Sequence, residues 1–237
     1  MTPVPSPTGA WISLVQQRFW RRWRRAVLWC VWVVILPLSA PAKDLAETLH
    51  FRQLNESLGL SQGTVRAIAQ DRQGFVWLGT QDGLFRFDGQ TLLVHRRTDG
   101  EGLTDNHILS MYGGDEGLWV GTNAGGLVSQ VADGRFAPVA GLPSGPLAVP
   151  ALAASESELL AAIAGVGLAR INRQSGQAIA LVDDPPDLRF IQSLAWRDGL
   201  LALGCRDGLW LWQDGDPEPS KANLPMSDDG GVTALAF

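Results

Sequence analysis

From residue 59 onward the chain alternates short apolar stretches with turns centred on Gly, Asp and Asn. The clearest instance runs TVRAIAQ (64–70), FVWLGT (75–80), LFRF (84–87) and TLLVHR (91–96). Within each stretch the apolar residues recur every second position, the period of a strand with one face buried. Between the stretches stand DRQG (71–74), QDG (81–83) and DGQ (88–90), where Asp opens a turn and Gly supplies a positive φ. The pattern predicts a four-stranded antiparallel meander.

That unit recurs. Segments beginning at Val65, Ile108, Val149 and Ile191 stack on one another, and a fifth opens at Val232 as VTALAF. The starts are 43, 41, 42 and 41 residues apart; the second-strand positions Gly79, Gly121, Ala162 and Gly204 are 42, 41 and 42 apart. A period of about 40 to 45 residues with four strands per unit predicts propeller blades, and the strand and Gly-turn spacing leaves no stretch for a helical repeat. The fold class is therefore all-β, a β-propeller of four blades plus the start of a fifth, an open partial ring. The repeat positions are Trp77, Gly79, Thr80 and Gly83; Trp119, Gly121 and Thr122; and Gly204 and Gly208. Trp77 is expected to fill the wedge between adjacent blades, and Gly79 to let the backbone bend as it leaves the second strand. The third unit carries Leu160, Ala162 and Ile163 there and is the degenerate one. Cys205 takes a threonine position in the fourth, which favours a packed side chain over a reactive thiol.

The first 42 residues follow another logic. Five arginines (Arg18, Arg21, Arg22, Arg24 and Arg25) precede an apolar run from Ala26 to Leu38, with small residues after it and no carboxylate. This is the order of a signal peptide, with Ala40 and Ala42 as the small pair at the cleavage site; an uncleaved anchor or a buried helix is the alternative. The apolar run is shorter than the roughly 20 residues of a membrane span. Cys30 lacks the small residues of a lipoprotein site, and the arginine pairs lack twin-arginine flanks. All 24 acidic residues lie beyond residue 42, whereas five of the 19 basic ones lie before it, which leaves the exported part at about −10. Such a balance excludes nucleic acid as a natural partner. Only Cys205 remains beyond the leader, so no intrachain disulfide forms there.

Residues 59–89, GLSQGTVRAIAQDRQGFVWLGTQDGLFRFDG, resemble the two-component regulator propeller repeat almost throughout, and 102–127, GLTDNHILSMYGGDEGLWVGTNAGGL, follow it with small departures. The next two units keep the frame but lose the aspartate and Trp-x-Gly-Thr. The leader pattern, the period and the resemblance together divide the chain into a signal peptide at 1–42, a lead-in with a blade-closing strand at 43–58, blades at 59–100, 101–141, 142–185 and 186–229, and the start of a fifth at 230–237. The lead-in strand, His50 to Leu54, would complete a blade begun at the far end of a larger ring. The resemblance further implies an exported, ligand-sensing N-terminal region, linked through a membrane helix to a cytoplasmic histidine kinase or diguanylate cyclase, in a homodimeric receptor. This stretch would then be a non-enzymatic fragment, the periplasmic portion of an inner-membrane protein.

Strand connectivity puts two sets of loops at one end of the blades: the linkers (Ser61, Gln62; Asp105, Asn106, His107) and the turns after the second strand (Gln81, Asp82; Asn123; Arg206, Asp207). These are the candidate ligand-binding residues; as Asp, Asn and Gln in turns they are equally accounted for as solvated turn chemistry. His50, His95 and His107 have no metal-ligand spacing. No nucleophile elbow or phosphate loop is present, and no cofactor is expected. An exported propeller enzyme and a secreted binding scaffold remain alternatives to the sensor; the first needs converging catalytic side chains on the inner strands, which here carry mostly Ala, Ile, Leu, Ser and Gln.

Overall fold

The computed structural model describes Leu60 and residues 64–131, 134–182, 186–213, 216–223 and 231–235. The predicted signal peptide with Ala40 and Ala42, the lead-in with its predicted strand at 50–54, and Ser61 and Gln62 lie outside the described residues. Four sheets follow one another along the chain. They comprise β1 (Ala67–Gln70), β2 (Val76–Gly79), β3 (Leu84–Phe87) and β4 (Leu92–His95); β5 (Ile108–Gly114), β6 (Gly117–Thr122), β7 (Leu127–Gln130) and β8 (Phe136–Pro138); β9 (Ala151–Ala154), β10 (Glu158–Ile163), β11 (Gly167–Asn172) and β12 (Gln177–Val182); and β13 (Ile191–Arg197), β14 (Leu200–Cys205), β15 (Gly208–Gln213) and β16 (Ser220–Lys221). Each sheet is an antiparallel meander in chain order, as the alternation predicts. The four are the blades of a β-propeller segment, and they do not close into a ring among the described residues.

The core lies in the seams between blades. At the first, the fully buried Trp77 and Leu84 meet Ile108, Leu118, Val120 and Val128 of blade 2, so the wedge role expected of Trp77 holds. At the second, Trp119 and Leu127 meet Leu159, Ala161, Ile163 and Ile171. At the third, Leu160, Ala162 and Leu168 face Ile191, Leu201, Leu203 and Cys205, with half-buried Trp196, Trp210 and Trp212 beside them. Each large side chain buried this way contributes about 1.5–3 kcal/mol. Cys205 is packed, as its position in the repeat suggested.

Main-chain bonds cross the first two seams and join blade 4 to the segment that follows it. Ile108 N donates to Thr80 O (2.8 Å), Val149 N to Thr122 O (2.9 Å) and Val232 N to Cys205 O (3.0 Å). Blades 2 and 4 add a second bond, from Ser110 Oγ to Val149 O (2.7 Å) and from Ser193 Oγ to Val232 O (3.2 Å). A register shift just before each serine aims it there. Val232 therefore sits against blade 4 as Val149 sits against blade 2. The next blade also approaches the repeated glycine too closely for a side chain. A Cβ on Gly79 would lie 2.6 Å from Ile108 Cγ2, and one on Gly121 would lie 2.6 Å from Val149 O.

Candidate functional site

At the end of the blades where the predicted residues converge, hydrogen bonds join the turn after β2, the exit of β4, the linker before β5 and the turn after β6. Asp82 pairs with Arg96, whose Nη2 lies 2.9 Å from Asp82 Oδ2. One step along, Arg97 N donates to Asn106 Oδ1 (2.8 Å). Asp105 accepts from His107 N (3.2 Å) and Ala124 N (2.9 Å), and Asn123 N donates to His107 O (2.9 Å). The structure thus brings Asp82, Asp105, Asn106, His107 and Asn123 onto one rim spanning blades 1 and 2. Asp105 and Asn106 spend their side-chain oxygens on backbone amides, which is the work of turn residues. Gln81 and Asn123 are exposed on this rim.

Arg206 and Asp207 occupy the matching turn of blade 4. Lys221 Nζ lies 2.6 Å from Asp207 Oδ2, and Trp210 Nε1 donates to Oδ1 at 3.3 Å. Burial, the largest single influence, pushes the Asp207 carboxyl up, but Lys221 and Trp210 together outweigh it and hold it below its ordinary value. Arg206 is exposed.

A groove of about 1040 Å³ opens at the other end, along the seam of blades 3 and 4. Its walls are the β9–β10 turn (Ser155–Ser157), the β13–β14 turn (Asp198, Gly199), Leu160, Arg170, Trp196 and Trp212. It opens where the repeat has lost its bulky wedge: Leu160 stands where Trp77 and Trp119 stand in the first two blades. Arg170 grips Glu158 through two bonds of 2.8 and 2.9 Å, and Trp212 Nε1 donates to Asp216 O at 3.0 Å. Asp198 has φ +49°, a left-handed turn conformation that Asp tolerates better than most residues. Two indoles beside paired charges suit a small ligand with one apolar face and several hydrogen-bonding groups. The degenerate third unit, with Leu160 at the tryptophan position, is the signal for this groove in the sequence.

Between blades 2 and 3, Arg173 forms two bonds of 2.8 Å with Glu116, whose Oε1 also accepts from Trp119 Nε1 at 2.8 Å. Burial is the largest influence on Glu116 and pushes it up, yet the bonds from Arg173 and Trp119 and the Arg173 charge prevail, so its carboxyl lies below its ordinary value. The Arg173 guanidinium is raised, chiefly by its bond to Glu116.

Residues 59–82 match the family described as two component regulator propeller. A stretch of 59 residues is 41% identical to a histidine kinase of Formosa agariphila, covering 25% of this chain and 4% of that protein. Among solved structures, the extracellular domain of a hybrid two component system from B. thetaiotaomicron superposes with a TM-score of 0.61 at 21% identity over 75% of this chain. The extracellular domain of another hybrid system from that organism gives 0.58 at 22% over 72%. The chain spans only 27% and 24% of those two domains. At these identities the structural likeness establishes the propeller fold.

Proposed function

We propose, from the two-component regulator propeller repeat that this chain carries at 59–82, that it is the exported ligand-sensing region of a transmembrane signalling receptor. The observation that carries this reading is blade 1 itself, where the family match at 59–82 spans the first two strands of a four-stranded blade. Three things support it: the signal-peptide pattern of the sequence at 1–42, the histidine kinase among the sequence relatives, and a fold like that of regions described as extracellular domains of two-component systems. In this reading the exported part lies in the periplasm, and a membrane helix beyond Phe237 connects it to a histidine kinase or diguanylate cyclase module. The receptor works as a homodimer, and these blades bind rather than catalyse. The groove at the seam of blades 3 and 4 is the ligand site, because it is concave and its indoles are accessible, whereas the rim carboxylates and amides are largely spent on turns.

Two experiments test the reading. The reading frame beyond Phe237 is expected to run through further blades and a hydrophobic span into a kinase or cyclase module; a stop codon in an intact gene overturns the receptor in favour of a secreted binding protein. A reporter enzyme active only outside the cytoplasm, fused after Phe237, is expected to be active. A silent reporter on a stable fusion overturns export.

A further inference from the structure

In the groove at the seam of blades 3 and 4 every guanidinium already has a carboxylate. Arg170 is held by Glu158 through two bonds. Arg173 is held in the same way by Glu116, and its Nη1 also donates to Ser155 O (2.7 Å) and Glu156 O (3.2 Å). Arg197 lies 3.5 Å from Asp198. Two further carboxylates line the groove, Glu156 on the β9–β10 turn and Asp216 beyond β15. Both residues are exposed, and neither side chain takes a hydrogen bond or ion pair from another described residue. The groove therefore has negative charge in excess, on a chain whose part beyond residue 42 is already at about −10.

Its indoles are spaced to use that excess. Trp196 pairs with Leu201 on β14, and Leu201 pairs with Trp212 on β15, so the three form one row across the face of blade 4 that is turned to blade 3. Two strand spacings put the backbones of Trp196 and Trp212 roughly 10 Å apart. Leu201 is buried between them, and a group in contact with a ring on either side needs about 7 Å. Trp212 Nε1 donates to Asp216 O at 3.0 Å, which turns the polar edge of that ring to the turn and brings Asp216 beside it. An aromatic face attracts a cation through its quadrupole, more strongly where water is excluded. The chain uses this attraction internally: Lys221 Nζ lies 5.8 Å from the Trp210 ring, and Arg173 Cζ 5.5 Å from the Tyr112 ring.

We propose that the groove takes an organic cation, an ammonium group carrying alkyl substituents, with its apolar part between Trp196 and Trp212 and its charge answered by Glu156 and Asp216. The inference rests on the reading of this groove as the ligand site and names the chemical class of the ligand. A neutral ligand that covers the groove leaves the two carboxylates uncompensated. An anion meets them as like charges, while the guanidiniums that would hold it are already paired.

The test is a titration of the full chain, purified from a host that exports it, followed by saturation-transfer NMR on the probe's methyl signal at constant ionic strength. The probes are choline and its neutral analogue, in which carbon replaces the nitrogen. Choline is expected to bind about tenfold more tightly than the analogue. Glu156→Gln/Asp216→Asn changes two exposed side chains and is expected to weaken choline roughly fivefold, leaving the analogue and the urea midpoint unchanged. Trp212→Ala is expected to weaken both probes; the carboxylate variant carries the test if the alanine variant folds poorly. Absence of choline binding overturns the proposal, as does equal binding of the two probes or an unchanged choline affinity in the carboxylate variant. A preference for the neutral analogue that Trp212→Ala removes overturns the cation and leaves the groove as the ligand site. Probe binding that a folded Trp212→Ala variant does not alter overturns both. The reading frame beyond Phe237 decides the receptor separately.

Discussion

Asp71 shows how much one side chain can organise in a blade. It is buried, and its carboxylate accepts from Gln73 N (2.9 Å), Phe75 N (3.0 Å) and Trp77 Nε1 (2.7 Å), tying the first turn to the ring that fills the seam. Asp71→Ala leaves those donors without their acceptor and is expected to cost about 3 kcal/mol in urea denaturation, with Asp71→Asn in between. Glu116 plays a comparable part in blade 2 but bonds across a seam to Arg173. Its lowered carboxyl sets the sign of its pH dependence. The contribution is complete above the ordinary glutamate value of 4.5 and disappears as pH falls through the lower folded value. Solvent reaches the pair, so Glu116→Gln should cost only about 1 kcal/mol at neutral pH, and urea curves of parent and variant should converge in acid. Asp88, in an exposed turn, is lowered to about 2, first by its bond from the Thr91 amide, then by the Thr91 hydroxyl. An NMR titration is expected to place its midpoint there, and Thr91→Ala to raise it.

At the scale of the strand, the two-residue period and the Asp-Gly turns were enough to read the meanders: β2 and β3 fall inside the predicted stretches, and β4 within TLLVHR. The glycine rule was legible as a position, but the close approach was not, because spacing along one chain carries no information about what the neighbouring blade places against it. The contacts now make that approach testable. A methyl at Gly121 would sit 2.3 Å from Ser110 Oγ and 2.6 Å from a backbone carbonyl that cannot rotate away. Gly121→Ala is therefore expected to cost roughly 2–3 kcal/mol, and removing the serine hydroxyl as well should recover only part of it. Blade 3 tolerates Ala162 at the same place, where Ala151 rather than serine is the cross-strand partner.

Across the whole molecule the blades repeat but the seams do not, and this difference was the part hidden in the sequence. The rim residues looked like a site because loop connectivity gathers them, and the structure does gather those of blades 1 and 2; which of their polar atoms are already spent on backbone amides was not readable from residue types. Leu160 was visible as a lapse in the repeat, yet its meaning depended on the space it leaves between two sheets. Trp77 and Trp119 are buried in the first two seams, and the seam holding Leu160 has a groove of about 1040 Å³. If that groove is kept open for a ligand, refilling it should separate stability from function. Leu160→Trp is expected to match or exceed the parent in urea midpoint, since the indole buries apolar area in space already present. It should also slow amide exchange in β13 and β14 and shield Trp196 and Trp212 from acrylamide quenching. A drop of more than about 1 kcal/mol would mean that the seam is packed around leucine and the groove has no room to give. A stable variant with unchanged quenching would mean that the indole turns outward and leaves the groove open.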